Sequence, residues 1–332
     1  MSDVIVETVN LKKYFPIKKG IFSKVSKYLR AVDDINIRID KGKTLGLVGE
    51  SGCGKSTLAK ILLLLIDPTE GKVIFNGNEI TNNKIKDLKS LRKKIQIIFQ
   101  DPYSSLNPKF TVGKMLKEII KYHKIAEGKN AEKKVHELLD KVGLRKTDST
   151  KYPHEFSGGQ RQRVCIARAL SLEPEFIICD EPVSALDVSV QAQIINLLID
   201  LQKDMQLTYL FISHDLSVVK HISDYISIMY LGKIVEHAEC NKIFNEPKHP
   251  YTEALLASVL DPNRINQNGK IILKGDLPSP SNVFNGCNFE SRCVKAFADC
   301  KEILPKLIQT DDHSVRCLLY KNESSEVKPF NC

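Results

Sequence analysis

No stretch of this sequence is long and apolar enough to cross a bilayer: the longest aliphatic run, Ile61 to Ile66, falls far short of the roughly 20 residues a spanning helix needs. The N-terminal residues Met1-Ser2-Asp3-Val4 lack the basic segment and apolar core of a secretory leader, so the expectation is a cytoplasmic chain. In that setting the nine cysteines are expected as thiols or metal ligands rather than disulfides. Clustering of charge is missing too. The net charge of +9 and pI near 8.9 suit phosphates, nucleic acid or an anionic surface, but the basic residues are dispersed and read as solvated lysine and arginine. The 332 residues, 42% hydrophobic, suffice for one large domain with an appendage or for two domains.

What is present is a phosphate-binding stretch. Gly49-Glu50-Ser51-Gly52-Cys53-Gly54-Lys55-Ser56-Thr57 fits G-x-x-x-x-G-K-[ST], with the apolar run Leu45 to Val48 before it and Leu58 to Leu62 after it. Strand, glycine-rich loop and helix in that order are the context the motif needs. The glycines let successive N–H groups face phosphate oxygens, Lys55 is placed for the β- and γ-phosphates, and Ser56 for Mg²⁺. The ligand expected is a nucleoside triphosphate.

Other segments supply the rest of such a site. Val4 to Val9 and Ala31 to Ile39 read as strands; between them Lys12 to Arg30 is basic and holds Tyr14 and Phe15. An aromatic ahead of a phosphate loop can stack on a base or pack in the core, and the pattern alone favours the core. Lys72 to Gly77 reads as a strand and turn, and the basic helical stretch Ile85 to Lys94 leads into a strand, Ile95 to Phe99, that delivers Gln100 at its carboxyl end. Ligands of open α/β sheets gather at such ends. Thr111 to Ile125 and Asn130 to Val142 carry apolar residues at helical spacing and suggest a helical insertion. Ser157-Gly158-Gly159-Gln160 opens a helix over Val164 to Leu170 and reads as a second anion site or, more simply, an N-cap. The apolar strand Phe176 to Cys179 ends in Asp180, suited to a Mg²⁺ shell, and Glu181, suited to polarise water as general base. Asp187 closes the tight loop from Ser184 and is expected to cap the next helix. The strand Thr208 to Ile212 ends at Ser213-His214-Asp215, where His214 is read as a γ-phosphate contact. Ile226 to Glu236 reads as a closing hairpin.

In this order these residues resemble an ATP-binding cassette (ABC) transporter ATPase: Walker A at 49 to 56, Q-loop Gln100, signature Ser157 to Gln160, Walker B Asp180-Glu181, D-loop Ser184 to Asp187 and switch His214. The resemblance implies an α/β P-loop NTPase core over residues 1–260, with a helical subdomain near 101–172 and a small Cys-rich C-terminal extension over 261–332. It implies that Phe15, with Tyr14 as fallback, stacks on the base, reversing the preference for core. Gly49 to Thr57 would bind the phosphates of ATP, Ser56, Gln100 and Asp180 position Mg²⁺, Glu181 activate water and His214 sense the γ-phosphate. Two such cassettes would sandwich ATP, with the loop of one facing Ser157, Gly158, Gly159 and Gln160 of the other.

Phe99 to Pro108, Tyr152-Pro153-His154-Glu155, His249-Pro250-Tyr251-Thr252 and the tail from Gly275-Asp276-Leu277-Pro278-Ser279-Pro280 to Gly286-Cys287 and Arg292-Cys293 resemble the dipeptide/oligopeptide importer subfamily. That implies an ATPase peripheral to the cytoplasmic face of the cell membrane, coupled to uptake of dipeptides or oligopeptides. Its partners would be two permease subunits, met by the helical segment after Gln100, and a second cassette, identical or paralogous. An extracytoplasmic peptide-binding protein would act indirectly, and no nucleic acid is expected. A soluble ABC ATPase working on nucleic acid or ribosomes would show a second cassette or a long coiled-coil insertion, and neither is here. An inactive regulatory cassette is disfavoured by the presence of Lys55, Asp180, Glu181 and His214.

Cys287, Cys293, Cys300 and Cys317 are separated by 5, 6 and 16 residues. Four thiolates around a metal can staple a tail too small to build its own core. The C-x₂-C pairs of common zinc ribbons and ferredoxins are missing, so spacing leaves a metal centre, unligated thiols and oxidised pairs all open. The subfamily resemblance implies a [4Fe-4S] cluster on these four, with zinc as the alternative. Cys53, Cys165, Cys179, Cys240 and Cys332 read as packing or incidental residues.

Overall fold

The computed structural model describes residues 3–18, 25–81, 88–258, 278–279, 281–282, 284–310, 313–321 and 325–326. Cys332, Gly275 to Leu277, Pro280 and the boundary expected near 260 lie outside the described residues. The chain divides into two compact units: Met1–Ile5, Asp40–Thr44 and Ile85–Ile212 form one, and Val6–Ile39, Leu45–Lys84 and Ser213–Cys332 the other.

In the first unit the strands Ile95–Ile98, Phe176–Asp180 and Thr208–Ser213 run parallel, with Phe176–Asp180 in the middle. Their continuous apolar runs suit a sheet covered on both faces; Phe176 to Cys179 are fully buried. Tyr209 is buried and donates its hydroxyl proton to the Leu198 carbonyl at 3.1 Å, tying the strand to the helix Val188–Met205. The expected helical insertion is present as Val112–Tyr122 and Gly128–Lys141. Thr111 caps the first by accepting from the Lys114 N–H at 3.3 Å. Val112, Met115, Leu116 and Ile120 of one helix and Ala131, Val135, Leu138 and Leu139 of the other supply buried stripes at the period of a helix. The basic helix begins only at Leu88, residues 85–87 lying outside the described set. The helix expected from Val164 starts six residues earlier, at Gly158, because a capping box satisfies its first turn.

In the second unit an antiparallel sheet pairs Val4–Lys18 with Val25–Ile35 and with Glu70–Phe75. The basic segment expected between two short strands is therefore largely strand itself, paired from Leu11↔Ile35 to Lys18↔Val25 with register shifts between Leu11 and Lys13, Lys13 and Tyr14, and Ile17 and Lys18. The single strand expected over Ala31 to Ile39 breaks after Ile35, where Asp34 takes a left-handed φ of 62° and the Asn36 side chain accepts from the Asn10 N–H at 2.7 Å; it resumes at Arg38–Asp40. The strand Thr44–Val48 pairs in parallel with Tyr225–Tyr230, Leu45 opposite Tyr225 and Val48 opposite Ile228. Gly46 lets the helix Leu216–Ile222 settle on that strand: a Cβ there would lie 2.4 Å from Val219 Cγ1.

The tail departs most from expectation. It adds strands to the sheet that holds Tyr225–Tyr230: Lys233–Glu239 pairs with that strand, His313–Val315 pairs with Lys233–Glu239 through Glu236↔Val315, and Ile308–Thr310 pairs with His313–Val315. Val315, Phe289 and Ile308 are buried. Three-residue strands carry too little alternation to be read from sequence.

Candidate functional site

The nucleotide loop follows from its glycines. A Cβ on Gly49 would lie 2.2 Å from the Met229 carbonyl, and one on Gly54, whose φ is +116°, would lie 1.9 Å from the Ala31 carbonyl. Only glycine fits either place. The loop ends in the helix Lys55–Leu62, whose first N–H groups point outward at the positive end of its dipole. Lys55 is 5% exposed and its ammonium bridges the loop, donating to the Gly49 carbonyl at 2.7 Å and the Glu50 carbonyl at 3.0 Å. Ser51 and Ser56 are exposed. The Cys53 thiol is buried, and burial raises its pKa, so it stays a neutral packing group.

The two aromatics ahead of the loop are treated differently. The Tyr14 hydroxyl donates to Asp33 Oδ1 at 2.6 Å, and Asp33 Oδ2 takes Lys233 Nζ at 2.8 Å. Burial, then the bond to Asp33, pushes the phenol well above its usual range. Phe15 is 37% exposed, with Lys13 Nζ 5.2 Å from its ring centre.

Glu50, inside the loop, is gripped from elsewhere in the same unit. Its N–H donates to the hydroxyl of Tyr251 at 3.0 Å, and its carboxylate accepts Arg292 Nη1 at 2.7 Å and Nη2 at 2.9 Å. Tyr251 comes from His249-Pro250-Tyr251-Thr252, where the His249 N–H donates to Glu236 Oε2 at 2.9 Å and the Tyr251 N–H donates to His249 Nδ1 at 3.0 Å. That second bond fixes Nδ1 as an acceptor, and burial holds the ring neutral down to about 4. Neither Arg292 nor a role for Tyr251 is visible in the sequence, although both sit inside segments that carry the subfamily resemblance.

In the first unit, Gln100 Nε2 donates to Glu181 Oε2 at 2.8 Å, so two residues 81 apart in sequence are brought together. Glu181 holds a left-handed φ of 48°, a costly backbone for a non-glycine residue. Its N–H donates to the Ile212 carbonyl at 3.0 Å, and its carbonyl accepts from Ser184 Oγ at 3.1 Å. Asp180 ends the strand half-buried.

The Ser157 hydroxyl accepts from the Gln160 N–H at 3.3 Å while Gln160 Oε1 accepts from the Ser157 N–H at 3.0 Å, a reciprocal cap of the helix Gly158–Leu170. Gly159 is close-packed, a Cβ there meeting Val190 Cγ1 at 2.5 Å. Asp187 occupies the N-cap position of Val188–Met205, but its side chain makes no capping hydrogen bond, contrary to expectation. Val188 beside it is 82% exposed. His214 is exposed, and Asp215 caps the following helix by accepting from the Ser217 N–H at 2.7 Å.

All four tail cysteines line one pocket, together with His249, Phe289, Lys295 and Phe297. They are free thiols; burial first, and then their neighbours, raises Cys287 to about 11 and lifts Cys293 and Cys317 as well. Among the described residues no three His, Cys, Asp or Glu side chains converge closely enough to hold a single metal ion.

A glycine-rich loop bridged by its lysine in one unit, and a paired Gln and Glu after parallel strands in the other, are features of ATPases of the cassette type. The ABC transporter family matches residues 32–184, and the oligopeptide/dipeptide transporter C-terminal region matches residues 235–300. Similar proteins include the oligopeptide transport ATP-binding protein AppF of Bacillus subtilis, 50% identical over 96% of this chain and 98% of that protein. The dipeptide transport ATP-binding protein DppF of Escherichia coli is 45% identical over 96% and 95%. Among solved structures, a dimeric ATP-binding cassette in a post-hydrolysis state bound to ADP and Pi superposes with a TM-score of 0.63 at 27% identity, covering 71% of this chain and 99% of that one. The chain belongs to the ABC transporter family of ATP-binding proteins, in its oligopeptide/dipeptide branch.

Proposed function

We propose that this protein hydrolyses ATP to power import of dipeptides or oligopeptides. It would do so at the cytoplasmic face of the membrane, on two permease subunits and beside a second cassette, with an extracytoplasmic binding protein delivering the peptide. The relatives support the substrate class, being oligopeptide and dipeptide transport ATP-binding proteins. No helix among the described residues is long and apolar enough to cross a membrane, consistent with a peripheral subunit.

The observation that carries the catalytic reading is the Gln100–Glu181 hydrogen bond. It holds a carboxylate at a strand's carboxyl end, where a general base for water is needed. Lys55 and the loop amides take the phosphates, Ser56, Gln100 and Asp180 serve Mg²⁺, which neutralises phosphate charge when bound, His214 contacts the γ-phosphate, and Phe15 stacks on the base, Tyr14 being committed to Asp33. Ser157 to Gln160 serve the γ-phosphate of the partner cassette. In the transporter reconstituted in vesicles with its permease, Glu181→Gln is expected to keep ATP binding and slow peptide-stimulated hydrolysis by ~10²-fold or more. Unchanged turnover would overturn the assignment, and hydrolysis stimulated by another solute but no peptide would overturn the substrate class.

For the tail we propose a [4Fe-4S] cluster on Cys287, Cys293, Cys300 and Cys317. Four soft sulfur donors line one pocket, and four thiolates are the ligand set that such a cluster takes. When bound, the cluster supplies a thiolate-bridging scaffold. The thiols themselves, raised by burial, must lose their protons to bind it. Absorbance near 400 nm in anaerobically purified protein is expected; a colourless, zinc-containing protein would refute the cluster.

A further inference from the structure

Glu50 is held at three points, one of them inside the nucleotide loop and two outside it. Its carbonyl accepts from Lys55, its N–H reaches Tyr251, and its carboxylate is clasped by both arms of Arg292. The ion pair is sheltered, the side chains of Arg292 and Glu50 being 6% and 25% exposed. Arg292 stands on the short turn Glu290–Arg292, one residue before Cys293. The backbone of that turn belongs to the cysteine pocket: the Glu290 N–H donates to the Cys287 carbonyl at 3.0 Å, the Cys293 N–H to the Glu290 carbonyl at 3.1 Å, and the Cys287 N–H to the Cys300 carbonyl at 2.8 Å. Gly286 permits the last approach, since a Cβ there would lie 2.3 Å from the Cys300 carbonyl.

Two consequences follow for nucleotide binding. A planar guanidinium fork fixes both position and orientation of the carboxylate it clasps, steadying a loop that turns at Gly52 and Gly54, both at positive φ. The same contact neutralises an acid whose own carbonyl touches the phosphate-binding lysine. Without Arg292, that carboxylate would present uncompensated negative charge to an incoming triphosphate.

We propose that Arg292 is a positioning residue of the nucleotide loop, through which the four-cysteine turn sets the affinity for ATP. An ordered turn delivers the guanidinium to Glu50, and a disturbed turn withdraws it. The proposal takes ATP binding at this loop as given and does not depend on what the cysteines hold.

Equilibrium binding of the non-hydrolysable analogue AMP-PNP to the full chain tests it. Arg292→Ala is expected to weaken binding by about tenfold, the scale of a lost charge-assisted pair. The double variant Arg292→Ala/Glu50→Gln is expected to regain most of that loss, because the uncompensated charge is gone; a variant that had failed to fold would not be rescued. Gly286→Ala, whose Cβ would lie 2.3 Å from the Cys300 carbonyl and so disturb the turn, is expected to weaken binding in the wild-type background and to add little in the Arg292→Ala background. Wild-type affinity in Arg292→Ala, persistence of its full loss in the double variant, or an additive loss on combining Gly286→Ala with Arg292→Ala would each overturn the proposal.

Discussion

The two glycine-rich loops of this chain, Gly49–Thr57 and Ser157–Gln160, both sit at helix N-termini and yet are held in opposite ways. The first is locked by its surroundings: carbonyls of Met229 and Ala31 leave no room for side chains, Lys55 bridges it from within, and Tyr251 and Arg292 grip it from outside. The second is secured on its inner side alone. Its hydrogen bonds are a local capping box, Gly159 packs on Val190, and Ser157 and Gly158 face outward near the exposed Val188. A loop held from several directions with its serines left exposed is preformed for its ligand, whereas one whose hydrogen bonds are its own helix cap presents a surface for something else to cover. The contrast matches the division of labour proposed above, one loop serving this chain's ATP and the other a partner's.

That contrast can be broken by paired substitutions. Gly54→Ala forces a Cβ within 1.9 Å of a backbone carbonyl at a φ of +116°, so the isolated chain should lose about 3 kcal/mol or more of stability and, with it, nucleotide binding. Gly159→Val crowds the Val190 side chain rather than a backbone carbonyl. Its main effect, on the order of tenfold, should fall on ATP turnover in the assembled transporter and far less on AMP-PNP binding by the isolated chain. Equal losses of binding in both variants would erase the distinction between the loops.

A smaller effect should sharpen it through pH. His249, which positions Tyr251 against Glu50, is held neutral to about 4 by burial, whereas an unfolded histidine takes its proton near 6.5. Below 6.5 the unfolded chain therefore binds the proton and the folded one does not, so stability is full above 6.5 and falls as pH drops toward 4. The loss is on the order of 3 kcal/mol at the low end. Thermal melts at pH 7 and pH 4.5 should show it, and His249→Asn should reduce the difference by about half the histidine contribution, the rest coming from His237, which burial also lowers to about 4; an unaltered slope would remove His249 as a source.

Much of the first loop could be read in advance because its chemistry is local: the glycines, Lys55 and the flanking apolar runs lie within about fifteen consecutive residues. The strand ends carrying Gln100, Asp180 and His214 were legible for the same reason. What sequence could not provide was the pairing of Gln100 with Glu181, or the grip of Arg292 on Glu50 across 242 positions, since nothing in an isolated arginine announces its partner. The strand pairing of Lys12 to Lys18 with residues from Val25 on hid behind basic side chains, which solvate readily on a sheet face and erase the alternation that marks a strand. The expected cap by Asp187 failed at the level of a single side chain, a detail that a pattern of residue types does not encode.

The strands contributed by the tail carry a practical consequence for anyone who would trim this protein to its matched cassette. Cutting the chain near residue 260 would unzip His313–Val315 from Lys233–Glu239, leaving that strand with a bare edge open to pairing with other chains. The same cut would take His313 from the fully buried carboxylate of Glu236, 2.6 Å away, leaving that acid the Lys248 and His249 N–H groups but no ring beside it. A shortened fragment should thus be judged first by its solubility, and the severed segment regarded as part of the wall rather than as a handle attached to it.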